Sequence, residues 1–164
     1  MRRKSFAGMH CSIARTLEVV GEWWTILVLR EAFRGARRFE DFEQGLGIAT
    51  NILSSRLAKL VGHGVLERVP APGSRRHEYR LTAKGRDLFP VLVALLQWGD
   101  RWMAGPGGPP VRITDRATGR DIAPLVLRDA DGRPLAANEV RAVAGPGATD
   151  ETRRRYPARE AADG

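Results

Sequence analysis

Apolar residues recur at helical spacing along much of the first hundred residues. Leu53, Leu57 and Leu60 stand at i, i+4, i+7 and predict a helix from about Ala49 or Thr50 to His63. At ~100° per residue its opposite face carries Asn51, Ser54, Ser55, Ala58 and Lys59. Just upstream, Phe39, Phe42 and Leu46 form one stripe of a shorter helix over residues 39–46. Glu40, Asp41 and Glu43 cover its other side and suit a helix N-terminus, and Gly45 and Gly47 supply a turn. Two further helices are expected over residues 13–20 and 23–33, with Trp24, Leu27, Val28 and Leu29 as core candidates. A wide stripe of Leu88, Val91, Leu92, Leu95, Trp98 and Trp102 predicts a long helix from the N-cap Thr82 to about Met103. Pro90 lies inside it, so a kink or break is expected near Phe89.

The pattern changes period between the second and the last of these helices. Gly62 and Gly64 stop the helix, and residues 65–69 then alternate as a strand. Residues 71–74 read as a turn, Arg75, Arg76 and His77 stand at the hairpin tip, and residues 78–81 return as a second strand. Helix, glycine turn, helix, basic hairpin and helix make a winged helix-turn-helix, mainly α with a small β wing. The face with Thr50, Asn51, Ser54, Ser55 and Lys59 is small and polar, as a helix entering a major groove requires. Asn can pair with adenine edges, Ser and Thr are permissive, and Lys59 can reach phosphate or guanine. Such a face alone reads as ordinary solvated surface; the adjacent arginine hairpin turns the reading toward nucleic acid. Arg37 and Arg38, just before the first motif helix, are either phosphate contacts or an exposed pair without a role.

Five blocks follow one another within about residues 9–104: 11–17 (CSIARTL), 21–30 (GEWWTILVLR), 37–42 (RRFEDF), 47–57 (GIATNILSSRL) and 78–85 (EYRLTAKG). In this order they resemble the HxlR-type bacterial winged-helix transcription regulators. Ser12 follows the cysteine where the family often has proline. The resemblance implies a homodimeric DNA-binding regulator of the cytoplasm, more often a repressor, in which the terminal helices build the dimer.

Charge agrees with this. The net charge is +8, and residues 1–104 carry 17 Lys/Arg against 10 Asp/Glu, whereas residues 105–164 carry 10 against 9. The excess sits on the winged-helix part, as a polyanionic partner requires. No apolar run approaches the ~18 residues of a membrane span, and the basic start lacks a long apolar segment of the kind signal peptides carry. A single cysteine excludes an intrachain disulfide and fits a reducing compartment.

The expected organisation is a winged-helix and dimerisation domain over residues 1–104, a Gly/Pro linker over 105–110, and a small β-rich appendage over 111–144. A disordered tail follows over 145–164. A zinc-ribbon-like hairpin pair would carry Cys-x-x-Cys knuckles at such turns; residues 111–144 have neither cysteine nor histidine, so no metal is expected. No cofactor is expected either. The chain has no GxSxG, P-loop, HExxH or Rossmann glycine pattern, and its three histidines are dispersed, so an enzyme is not expected. The remaining rival is a winged helix used only for protein–protein contact.

The stripe of the last helix is wider than one such domain covers, and an exposed apolar patch of that size marks an interface. A two-fold dimer on a palindromic operator, its recognition helices one DNA turn (~34 Å) or a multiple apart, is therefore expected. Two signals compete. Cys11 lies before the first helix, where the helix dipole and Arg15 favour a thiolate; the alternative is an inert cysteine at the dimer interface. Trp23, Trp24, Trp98 and Trp102 are candidates for the lining of a small-molecule effector pocket; the alternative is plain aromatic core.

Overall fold

The computed structural model of the chain describes residues 5–6, 8–73 and 76–157. Its elements run α1 (Ser12–Val20), α2 (Trp23–Arg34), α3 (Phe39–Leu46), α4 (Thr50–Gly62), β1 (Leu66–Pro70), β2 (His77–Leu81), α5 (Ala83–Arg86) and α6 (Phe89–Met103). Beyond these lie β3 (Leu127–Arg128), β4 (Pro134–Leu135), a 3₁₀ turn and α7 (Asp150–Arg155). The fold is mainly helical, with a two-stranded antiparallel wing in which Leu66 pairs Leu81 and Pro70 pairs His77.

The core is built from the faces that the periodicity marks. Val28 and Leu29 of α2, Phe42 of α3, and Leu53, Leu57 and Leu60 of α4 are fully buried together with Val65 and Leu66. Burying such side chains contributes about 1.5–3 kcal/mol each, so this cluster fixes how α3, α4 and the wing sit on α2. The Phe42 ring meets Tyr79 of β2 edge-on, with centroids 6.1 Å apart, which ties α3 to the wing.

The expected break in the last helix is present. α5 ends at Arg86, and α6 begins at Phe89 with Pro90 in its first turn. There the missing N–H would have no intrahelical acceptor anyway.

The stretch Thr82 to Gly85 locks the end of α4 to the wing. Thr82 Oγ1 donates to Gly64 O at 2.7 Å and accepts from Gly85 N–H, while Lys84 Nζ donates to His63 O at 2.7 Å. Gly85 is buried so closely against the Val65 carbonyl that a Cβ would collide with it, which explains glycine at this place.

Residues 105–157 contain no buried residue among those described. Short elements hold this segment: the Thr114–Asp121 bridge, the β3–β4 pair and the Arg112–Asp121 ion pair at 2.8 Å. Gln97 of α6 holds it to the helical part, accepting from Leu125 N–H at 2.8 Å. Within the stretch whose composition points to disorder, Asp150–Arg155 is helical. Thr149 caps it by accepting from Thr152 N–H, Asp150 and Glu151 occupy the first turn, and Arg153, Arg154 and Arg155 the last. Each of these suits the helix dipole.

Candidate nucleic-acid interface

α3 and α4 are joined by the three residues Gly47, Ile48 and Ala49. Gly47 takes a left-handed conformation (φ 60°), which ends α3 without a Cβ penalty. Ile48 drops into the core and orients the turn. α4 consequently presents Thr50, Asn51, Ser54 and Ser55 to solvent, with Lys59 half-buried at the edge of the same face.

Two of these side chains have local partners. Thr50 Oγ1 donates to Glu43 Oε1 at 2.7 Å, fastening the start of α4 to α3. Asn51 Oδ1 accepts from Ile52 N–H at 2.9 Å, so bidentate pairing of this amide with an adenine edge requires that contact to open.

The wing lies beside this face. Arg76 Nη1 bonds Glu40 Oε1 at 2.9 Å, an exposed ion pair that links the wing to α3. His77 falls in β2 rather than at the tip, and its Nδ1 lies 3.4 Å from Arg68 Nη2. Arg75 lies outside the described residues. A cleft of about 470 Å³ between α3 and the wing is lined by Arg38, Phe39, Glu40, Arg68, Arg76, His77 and Tyr79. Three arginines against one acidic group, Glu40, which pairs with Arg76, leave the cleft with an excess of positive charge. Arg68 escaped the sequence reading because an arginine in an alternating strand carries no signal of its own; its register opposite Tyr79 is what brings it to the cleft.

Arg37 and Arg38 separate. Arg37 Nη1 donates to Ala32 O and Ala36 O at 3.2 and 3.3 Å, and its backbone carbonyl accepts from Tyr79 N–H at 2.7 Å. It caps the C-terminal end of α2, a favourable position for a cation, and braces the wing. Arg38 is exposed and lines the cleft. The backbone N–H groups of Arg38 and Arg37 bond Asp41 Oδ2 and hold its carboxyl below the usual carboxylate range. That carboxylate caps the start of α3.

The other candidates do not line the cleft beside the wing. Cys11 is exposed and forms the N-cap position of α1. Trp23 is 88% exposed, and Trp23 and Trp24 line a cleft of about 300 Å³ with Gly21 and Glu22. Trp98 and Trp102, 60% and 64% exposed on α6, do not line it. The four tryptophans thus do not converge on one pocket within a single chain.

Residues 19–106 match the model of the HxlR-like helix-turn-helix family. This chain belongs to that family. Among similar HxlR-like proteins is Rv3095 of Mycobacterium tuberculosis, described as an uncharacterized HTH-type transcriptional regulator. It is 46% identical over 137 residues, or 83% of this chain and 87% of its own. The crystal structure of PA1607, described as a proposed transcription factor, superposes with a TM-score of 0.83 at 44% identity, covering 87% of this chain and 100% of that one. The reduced form of the redox regulator HypR superposes over 56% of this chain and 92% of its own, with 27% identity and a TM-score of 0.52. This HxlR-like protein is accordingly a helix-turn-helix transcription regulator that binds DNA. The PA1607 match extends past the helical part into the C-terminal segment. No helix among the described residues is long and apolar enough to cross a membrane.

Proposed function

We propose that this regulator is a homodimeric repressor of the cytoplasm that reads a palindromic operator with α4 and grips the backbone with its wing. One observation carries the reading. α4 buries Leu53, Leu57 and Leu60 completely and turns a face of small polar groups outward beside a cleft rich in arginine. Thr50, Asn51, Ser54 and Ser55 serve as base-reading groups, with Lys59 at their edge. Arg38, Arg68, Arg76 and His77 line the backbone-contacting cleft, and Arg75, outside the described residues, is assigned the same role from its place beside Arg76 in the sequence. Arg37 acts through its cap on α2. The arginines act on any sequence, whereas the α4 face discriminates.

The double variant Arg75→Ala, Arg76→Ala separates these roles. It is expected to weaken binding to operator and random DNA alike and to shrink the salt slope of the binding constant by ~1 to 2 units. An unchanged slope would remove the wing from the interface. A wild-type chain that shifts no DNA from its own promoter region would favour the rival reading, a winged helix for protein contact alone.

For the signal, the exposure of Cys11 at the head of α1 favours a thiol sensor, and the likeness to the redox regulator HypR supports it. Diamide is expected to change operator affinity in the wild type and not in Cys11→Ser, with a disulfide between the two Cys11 thiols of a dimer as the oxidised product. The oxidant takes up the two electrons, and both thiol protons leave. Equal responses from the two proteins would exclude Cys11 and leave a small-molecule effector as the signal.

A further inference from the structure

A recess of about 310 Å³ opens between α1, the start of β1 and α5, outside the DNA-facing surface. Its deeper walls are aliphatic, formed by Val19 and Val20, Val65 and Leu88, with the exposed Thr16 at the rim. Val20 and Val65 are buried and Val19 and Leu88 half-buried, whereas Arg15 and Lys84, which also line it, are exposed. The apolar surface therefore lies deep and two cations stand at the mouth.

The Arg15 guanidinium makes no hydrogen bond or ion pair to any described residue. Lys84 Nζ has one neutral acceptor, His63 O at 2.7 Å. A largely aliphatic recess with two cations and a hydroxyl at its mouth matches one class of small molecule. A carboxylate gives Arg15 a charge-assisted partner, and a compact apolar body covers the valines. A second charged group would be forced against those side chains at a high desolvation cost. The volume stands at the small end of ligand pockets, which limits the body to one ring or a short chain.

We infer that this recess binds a small apolar monocarboxylate, its carboxylate at Arg15 and Lys84 and its body on Val19, Val20, Val65 and Leu88. Occupancy has a short route to α4. His63 directly follows α4, and its carbonyl is the acceptor that Lys84 now holds. A carboxylate competes for that ammonium with a charge-assisted bond, roughly twice as strong as one to a neutral acceptor. The end of α4 then loses that tether, while the Thr82 contacts to Gly64 O and Val65 O and the buried Leu57 and Leu60 remain. The ligand is thus an effector that loosens the seat of α4 and weakens operator binding. This coupling rests on α4 reading DNA; binding in the recess does not.

Calorimetric titration of the full chain with benzoate, phenylacetate and hexanoate, each beside its neutral amide, tests the site. At least one acid is expected to bind with a Kd below about 1 mM while its amide does not. Arg15→Gln is expected to weaken that binding about tenfold or more with an unchanged melting temperature. No binding by any of the three acids overturns the site, as does equal binding of acid and amide or of wild type and Arg15→Gln. In a gel shift the bound acid is expected to lower operator affinity in the wild type and less in Arg15→Gln. Binding without that loss, in a protein that does shift DNA, overturns the coupling. A protein that shifts no DNA contradicts the repressor reading instead, and the calorimetry still decides the recess.

Discussion

Phe42→Ala is expected to lower the unfolding free energy by about 3–5 kcal/mol, read as a lower midpoint in urea at unchanged slope. Phe42 is fully buried at the centre of the cluster formed by α2, α3 and α4, and its ring meets Tyr79 edge-on. Truncation removes the apolar contact and leaves a cavity between rigid helices that collapse only in part. It also removes one tie between α3 and the wing, since Tyr79 loses its edge-on partner and keeps its pairing with Arg68 and the bond from its N–H to Arg37 O. Arg76 and Arg68 would then be held less firmly beside α4, so DNA affinity should fall even in the fraction that remains folded. A loss below about 1 kcal/mol would mean that α3 is not packed as described.

Leu95→Arg with Trp98→Arg is expected to convert a dimer into a monomer and to lower operator affinity by about 100-fold or more. Val91, Leu95, Trp98 and Trp102 are exposed on α6, and Ile13 and Leu17 are exposed at i, i+4 on α1. A lone chain rarely leaves so many large apolar side chains in water, and a stable interface needs ~800 Å² per partner. Two half-sites bound together gain an effective concentration that a monomer lacks. Light scattering reads the mass and a gel shift the affinity. A wild-type chain that is monomeric at micromolar concentration would contradict the dimer directly.

Much of this architecture is legible in the order of residues. The leucines of α4 and the aromatic stripe of α3 give helix limits within a residue of those observed, since a 3.6-residue period leaves little freedom in which face is buried. The break near Phe89 follows from the ring of Pro90. The less legible features depend on contacts between distant parts of the chain. Arg37 and Arg38 look alike in sequence, but only the C-terminal carbonyls of α2 make one of them a cap. Trp98 and Trp102 share helical spacing with core residues, and nothing local distinguishes a buried stripe from an exposed one. α7 is hidden within a Pro/Gly-rich, charged composition, although Thr149 and the acidic-to-basic order after it are start and stop signals. The role of Lys84 appears only once the end of α4 is seen beside it.

The assignment of α4 as the helix that reads bases is tested most directly by a competition gel shift. The DNA is the chain's own upstream region, challenged with random DNA of equal length at fixed salt. Asn51→Ala and Ser55→Ala should each reduce discrimination by about 1–3 kcal/mol per lost base contact, or ~5- to 150-fold, and leave binding to random DNA nearly unchanged. Full discrimination retained by both variants would contradict α4 as the reading element.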